Sequence, residues 1–283
     1  MKIDPPKPGI YPNTPFETYV SWNAMNHSTL KKIAKSAAHF KHALDNPEDR
    51  ETDSKRFGTS AHALVLEPDK FSSMVVPAPV NPKTGEPFGS GTKAWAEYAE
   101  QHKGKLVLTP DELDRLQAVA KKLHSHSSAS PLLRSAGMNE VAIVWDDPTT
   151  GLRCKGRVDR LVERFGRVDL KTCESAAWSD LSSSMVNYGY HTQDAFYAMG
   201  CDALGVTGEG SAFVCVESEA PHEIAVYTTG PDTMGIARTL VGEWLREIVK
   251  CQSSGEWPGY SKDVQVVDAP EWYFKRFASA LEA

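Results

Sequence analysis

Residues 156–172 read GRVDRLVERFGRVDLKT. Apolar and polar residues alternate on both sides of Gly166, which predicts two antiparallel strands joined by a tight turn. Each strand carries the triplet RVD, and only the second continues into LKT. Asp169 and Lys171 are two residues apart on one strand, so their side chains leave the same face, about 7 Å apart along the chain. Whether Asp159 joins them depends on the loop. A two-residue loop at Phe165-Gly166 pairs Asp159 with Thr172 and puts Asp169 on the opposite face. A three-residue loop, Arg164-Phe165-Gly166, pairs Glu163 with Arg167, Leu161 with Asp169 and Asp159 with Lys171. The three-residue loop wants a left-handed residue at its third position, where Gly166 stands. It also collects Val158, Val162, Val168 and Leu170 on the reverse face, with Arg160 the one misfit. This register is the expected one, and it makes Asp159, Asp169 and Lys171 a single cluster with Leu161 and Glu163 beside it.

Two carboxylates held this close repel each other unless a cation neutralises them. A hard divalent cation does so: Mg²⁺ takes oxygen ligands, one or two carboxylates among them, and Mn²⁺ is expected to substitute. A bound metal lowers the pKa of its water and stabilises charge building on a phosphate. A neighbouring lysine can orient that water and balance the developing charge. This is equipment for hydrolysing a phosphodiester. A D-x-K triplet taken alone equally describes an exposed ion pair worth about 0–1 kcal/mol.

Outward from the hairpin, EVAIVWDD, LRCKGRVDRLVER and RVDLKT alternate with period two and read as consecutive antiparallel strands. Upstream, residues 1–26 contain five prolines and are expected to form an irregular arm. HSTLKKIAKSAAHFKHALDNP reads as a helix capped by Asn26 or Ser28 and ended at Asn46-Pro47, followed by a polar loop, PEDRETDSKR. KRFGTSAHALVLEPDKF is apolar along most of its length and reads as a buried helix. Residues 77–92 form a long Pro/Gly loop, and 92–103 and 110–127 are helical. Downstream, residues 188–204 return to helical spacing, GSAFVCVES and HEIAVYTTG are two further strands, and TMGIARTLVGEWLREIVKCQSSG is an amphipathic helix. The aromatic tail is expected to pack back on the body. The expectation is an arm over 1–26 and one α/β domain over 27–283, with a central mixed β-sheet flanked by helices.

The chain has 283 residues with 41% hydrophobic and 24% charged, ordinary for a globular protein. No apolar run is long enough to cross a membrane, and the polar, proline-rich beginning does not resemble a signal peptide, so no membrane association and a cytoplasmic location are expected. The five cysteines include no CxxC pair, which leaves zinc and iron–sulfur sites without support. A net charge of −6 excludes nucleic-acid binding by bulk attraction and requires a local basic surface. Arg153, Lys155 and Arg157 fall on one strand face and offer either that surface or an ordinary solvated edge.

GRVDR…VDLKT resembles the core of the PD-(D/E)XK nuclease superfamily. FGTSAHALVLE and QDAFY are similar to two further motifs of its RecB/RecE-like branch, and HSTLKKIAKSAAHFKHAL and GEWPGY resemble RecE-type exonuclease domains of phage and prophage. The resemblance spans roughly residues 19–260. It implies a PD-(D/E)XK nuclease-like α/β core and metal ligation by His62, Asp159 and Asp169, with Glu140 at the head of the first strand as a further ligand. It implies that Lys171 serves the attacking water and that Gln193 and Tyr197 hold the site or the DNA strand. The activity implied is a Mg²⁺-dependent exonuclease acting on double-stranded DNA ends, 5′→3′, leaving 3′ overhangs for recombination. The implied partners are a RecT-like single-strand annealing protein and further copies of the chain in a homo-oligomeric ring, a tetramer by family. An endonuclease on the same fold and a non-catalytic DNA-binding protein remain the alternatives.

Overall fold

The computed structural model describes residues 2–47, 52–208 and 210–277. The proline-rich start is not irregular. It holds strand β1 (Gly9–Tyr11) and helix α1 (Phe16–Ser21). The single helix expected next is divided into α2 (His27–Leu30), a 3₁₀ turn (Lys31–Ala34) and α3 (Ala37–Asp45). Asn26 caps the first part and Ser36 caps the third, each accepting a backbone N–H three residues on. The polar loop lies partly outside the described residues, and α4 (Asp53–Leu66) opens within its end. Then follow α5 (Pro68–Met74), β2 (Val75–Pro77), α6 (Lys93–Gln101), β3 (Leu106–Leu108), α7 (Pro110–Ser125) and α8 (Ala129–Arg134). Thr109 and Glu112 close a reciprocal capping box at the start of α7. The second half contains β4 (Gly137–Asp146), β5 (Arg153–Val162), β6 (Gly166–Cys173), α9 (Trp178–Asn187), α10 (Tyr190–Ala203), β7 (Gly210–Glu217), β8 (Ile224–Tyr227), α11 (Pro231–Ser254) and α12 (Glu271–Arg276).

Six strands form one mixed sheet in the order β1-β4-β5-β6-β7-β8. The central three are the antiparallel meander expected from alternation, and β6 pairs β7 in parallel across the crossover made by α9 and α10. One apolar core joins α4, α5, α7 and α8 to β6 and β7 through Phe57, Leu116, Leu123, Val168, Leu170 and Val214. A second joins α2, α3, α10 and α11 to β4 and β5 through Leu30, Phe40, Ile143, Trp145, Phe196 and Leu245. The fold is therefore α/β, a mixed sheet flanked by helices. Val158 lies in the second core and Val162, Val168 and Leu170 in the first, so the four do not share one apolar layer as expected. Arg160, the misfit of that face, is buried and donates to the carbonyls of Leu132 and Ser135 and to Asn139 Oδ1, satisfying the end of α8.

The hairpin register differs from the expected one by two residues. Arg160 pairs Val168, Leu161 pairs Arg167 and Val162 pairs Gly166. The turn is thus Glu163-Arg164-Phe165, and its left-handed residue is Arg164, at φ 61°. Gly166 begins β6 and serves another purpose. It holds φ 126°, and a Cβ there would lie 2.2 Å from the Gly210 carbonyl oxygen and 2.8 Å from that of Gly208. Backbone meets backbone at this point, so nothing can yield cheaply. Gly166→Ala is expected to destabilise the protein by about 3 kcal/mol or more, from backbone strain plus overpacking. A urea titration reads this as a fall in midpoint at unchanged slope.

The arm is held by a lysine expected to face solvent. Lys155 is 1% exposed. Its Nζ donates to the carbonyls of Tyr19 and Trp22, both at 2.7 Å, and of Val20 at 3.2 Å, and it lies 4.8 Å from the Tyr19 ring centre. Arg153 pairs Asp146 and donates to Pro6 O, and Arg157 donates to Thr14 O. These three cations are spent on anchoring the arm, so they are not the basic surface that nucleic acid requires. Burial, helped by Lys2, lowers the Lys155 pKa to about 8. The sign follows from linkage: between pH 8 and the unfolded lysine value the unfolded chain binds more protons, so this group's contribution to stability rises with pH. Urea unfolding at pH 8, 9 and 10 is expected to show that rise in the wild type relative to Lys155→Met. Parallel pH profiles would sink the expectation.

The tail does not pack back as expected. Trp257 stacks on Phe40 and Tyr260 lies beside His39, but residues 261–277 are exposed throughout and α12 buries no side chain.

Candidate metal centre

Three neighbouring strands and one helix converge on a single point. β4 brings Glu140, β5 Asp159 and β6 Asp169 and Lys171, while α4 lays His62 across them. Continuing the hairpin register sets Asp159 opposite Asp169, but the hydrogen-bonded ladder stops at Arg160–Val168. Beyond it the Leu170 N–H goes to Asp159 Oδ2 at 2.9 Å instead of to a strand carbonyl. Glu140 falls in a gap of the β4–β5 ladder between Asn139 and Val141 and has φ 47°. A left-handed glutamate inside a strand costs about 1–3 kcal/mol, and such strain concentrates at functional sites.

His62 is the hub. Its Nε2 lies 2.7 Å from the Leu170 carbonyl oxygen, and its Nδ1 lies 3.4 Å from Glu140 Oε1 and 3.7 Å from Asp159 Oδ2. Burial pulls the imidazole pKa down, but Asp159 and Glu140 outweigh it and raise it to about 9. The ring is therefore protonated at neutral pH and must give up a proton before it can act as a ligand. Burial raises Asp159 to about 7; His62 opposes this and Asp169 and Glu140 add to it. Burial also raises Glu140, but the hydrogen bonds and charges of His62 and Arg157 prevail and hold it below the usual carboxylate range. Arg157 Nε is 2.7 Å from Glu140 Oε2, which leaves Oε1 for His62.

Lys171 Nζ lies 2.6 Å from Asp169 Oδ2 and 3.4 Å from Gln193 Oε1, while Gln193 Nε2 is 3.4 Å from Asp169 Oδ1. Burial lowers the ammonium pKa, yet Asp169 and Asp159 raise it above the ordinary lysine value, so Lys171 is a cation here. Tyr197 stands further back. Its hydroxyl makes a long 3.5 Å contact with Gln193 Nε2, and burial pushes its pKa far up, so it stays neutral. Its ring lies 2.9 Å from where a Cβ of Gly156 would be. The helix carrying His62 comes close to β6 through Gly58, where a Cβ would be 3.1 Å from Thr172 Oγ1.

The donors fit a divalent cation. Atoms of His62, Glu140 and Asp159 all lie within 4.8 Å of one another. The Leu170 carbonyl lies beside this cluster, against the other ring nitrogen of His62. Asp169 Oδ2 is buried and has no hydrogen bond, its ion pair to Lys171 apart. A set of carboxylates, one carbonyl and one imidazole suits Mg²⁺ or Mn²⁺, and the imidazole favours Mn²⁺. A cation held there supplies a Lewis acid for a phosphoryl oxygen and an activated water.

All seven residues expected at the site lie together, five in direct contact range and Gln193 and Tyr197 behind them. Four participants were not foreseen. The Leu170 carbonyl has no sequence signature, since every residue carries one. Arg157, read as part of a basic face, is the clamp on Glu140. A buried ion pair also ties Arg167 to Asp194, side chains 7% and 5% exposed, with 3.0 Å between Nη2 and Oδ1.

A mixed sheet with flanking helices and a clustered Asp/Asp/Lys set at splayed central strands defines a domain of the PD-(D/E)XK nuclease class. The chain belongs to the family of PDDEXK-like domains of unknown function known as DUF3799, whose profile matches residues 26–270. No curated protein matches the sequence. Among solved structures, a Eubacterium rectale protein provisionally described as an exonuclease, determined at 2.19 Å resolution, superposes with a TM-score of 0.60. The identity is 14%, over 94% of this chain and 98% of that one, so the likeness is one of fold. No helix among the described residues is long and apolar enough to cross a membrane.

Proposed function

We propose that this protein is a metal-dependent exodeoxyribonuclease of the RecE type, acting on ends of linear double-stranded DNA. The observation that carries the reading is the convergence of His62, Glu140 and Asp159 within 4.8 Å, with the Asp169–Lys171 pair alongside. In this reading His62, Glu140, Asp159 and Asp169 hold Mg²⁺, with Mn²⁺ as a substitute. Lys171 orients the attacking water and balances charge on the phosphate, Gln193 fixes the distance between Asp169 and Lys171, and Tyr197 backs Gln193. Digestion runs 5′→3′ and leaves 3′ overhangs for a RecT-like annealing partner, and the protein works as a ring, a tetramer, in the cytoplasm. Polarity, ring and partner rest on the resemblance of the motifs at 27–44 and 255–260 to RecE-type domains and of those at 57–67 and 193–197 to the RecB/RecE-like branch, and the location rests on the polar, proline-rich beginning and the lack of a membrane-spanning run in the sequence.

The test is digestion of end-labelled linear duplex in Mg²⁺, followed separately from each labelled end, beside covalently closed circular duplex. Loss of the 5′ label first with circles intact is expected. Cleavage of closed circles would replace the exonuclease reading by an endonuclease. DNA binding with no cleavage in Mg²⁺ or Mn²⁺ would leave a binding protein.

A further inference from the structure

Beside the metal centre stands a group of side chains to which the chemistry gives no task. Tyr190 opens α10 and takes the Lys171 ammonium against its ring, 4.6 Å from the ring centre. Inward it lies 6.2 Å from Phe213, and outward its ring centre is 5.7 Å from that of Tyr188. Tyr188 is 59% exposed. The aromatic row therefore runs from the core, past the catalytic lysine, to a ring offered to solvent.

Lys31 Nζ reaches the same place and donates to the Tyr188 carbonyl at 3.0 Å. Lys31 begins the 3₁₀ turn, which brings Lys32 and Lys35 with it. Both are exposed, and neither has a carboxylate within 4.0 Å among the described residues. Residues 27–40 hold Lys31, Lys32 and Lys35 and no aspartate or glutamate, in a chain of net charge −6, while Lys41 further on is paired with Asp45. Burial, then repulsion from Lys32 and Lys171, holds Lys31 below the ordinary lysine pKa. Positive charge without a carboxylate partner thus lies on Lys32 and Lys35 at the surface, and Lys31 carries it toward the site, where Lys171 is paired with Asp169.

Like charges gathered without partners work against folding, and an exposed ring at the end of a stack buries little. Together they suit one kind of ligand. Unpaired nucleotides offer a π-face to stack on and a phosphate every residue for a cation, whereas a paired duplex keeps its base faces to itself. We propose that Tyr188 and Tyr190, with Lys31, Lys32 and Lys35, form a subsite for an unpaired DNA strand at the mouth of the metal centre. The subsite holds the nucleotides next to the phosphodiester presented to Asp159 and Asp169. It deepens the nuclease reading and rests on it. Tyr188 supplies the outermost stacking face, and Lys32 and Lys35 bind phosphates further along the strand.

The test uses the full chain with EDTA and fluorescein-labelled dT12, with binding followed by anisotropy. Tyr188→Ala is expected to weaken binding about tenfold and Tyr188→Phe to restore it, since stacking needs the ring and not the hydroxyl. The double variant Lys32→Gln/Lys35→Gln is expected to lower the slope of log K against log salt by about 1.4, at about 0.7 for each phosphate that a lysine no longer neutralises. A duplex closed by hairpins at both ends is expected to respond much less to Tyr188→Ala. Hydrolysis of thymidine 5′-(p-nitrophenyl) phosphate in Mn²⁺, a phosphodiester too small to reach Tyr188, is expected to be unchanged in all three variants. Wild-type affinity for dT12 in both Tyr188→Ala and the double lysine variant overturns the subsite while an active wild type keeps the nuclease reading. A wild type that cleaves neither the small ester nor linear DNA overturns the nuclease reading itself. Tighter binding of an oligo-U of equal length than of dT12 overturns the assignment to DNA.

Discussion

Asp159→Asn is expected to abolish both metal binding and cleavage, and Lys171→Met to abolish cleavage alone. The two variants separate the roles of neighbouring side chains. Asparagine at 159 keeps an acceptor for the Leu170 N–H, which Asp159 Oδ2 takes at 2.9 Å, but removes a charge from the donor cluster. Cleavage of linear duplex is expected to fall by about 10³-fold or more, the several kcal/mol that a bound cation contributes. Titration calorimetry with Mn²⁺ and no DNA is expected to show little heat. The protein is expected to melt at the same temperature or higher, because burial, with Asp169 and Glu140 adding to it against His62, pushes the Asp159 pKa up to about 7, so its charged form is disfavoured in the folded protein. Methionine at 171 keeps an apolar stem against the Tyr190 ring and removes a cation facing the metal position. Mn²⁺ is expected to bind as tightly or more tightly, while cleavage falls by about 10²–10⁴-fold, the range for loss of a positioned proton-transfer or charge-balancing group. Equal loss of metal binding in both variants would place Lys171 among the structural supports of the ligands and remove its role toward the water.

The site was legible because a slip of two residues is harmless to it. The expected register set Leu161 against Asp169, and the structure sets Leu161 against Arg167. Side chains on a strand repeat every two residues, so an even slip by itself moves partners along the ladder without exchanging faces. Asp159 and Asp169 therefore meet in both registers. The slip arose because the left-handed position of the turn was given to Gly166, the residue that adopts it most readily, when Arg164 occupies it. Gly166 answers instead to Gly208 and Gly210, more than forty residues further along, and no local pattern shows that approach. The same limit applies to the arm. Its prolines concealed a short strand, and the lysine and arginines of β5, which alternation marks as a face, gave no sign that α1 would cover that face. His62 and Gln193 came from resemblance, since periodicity alone gives only a histidine on an apolar helix and a polar pair one turn apart.

Asp194→Ala is expected to cost about 3–5 kcal/mol, the largest stability loss of any single polar truncation here. Asp194 sits next to Gln193 on α10, and Arg167 is two residues before Asp169 on β6. Arg167 donates to Asp194 Oδ1 from Nε at 3.1 Å and Nη2 at 3.0 Å, while Ser211 and Thr229 hydroxyls donate to Oδ2 at 2.7 and 2.8 Å. Every lone-pair direction of the carboxylate is in use, in a region with room for about one water, a cavity near 10 Å³ lined by Asp159, Arg167, Asp169, Gln193 and Asp194. Truncation leaves a buried guanidinium without a counter-charge, and so small a cavity cannot hydrate it. Arg167→Met is expected to cost less, because Asp194 keeps its two hydroxyl donors. The urea midpoints of the two variants measure this asymmetry, and equal losses would show that the pair and not the stranded cation sets the cost. The pair also joins the strand that carries Asp169 and Lys171 to the helix that carries Gln193, whose amide reaches both at 3.4 Å. Asp194→Asn keeps one acceptor oxygen but also leaves the Arg167 guanidinium without a counter-charge, so it is expected to lose part of this stability, less than Asp194→Ala. It should slow cleavage at saturating Mn²⁺ by more than it weakens Mn²⁺ binding, because Asp159, Glu140 and His62 lie on other elements and only Asp169 of the four ligands shares a strand with Arg167.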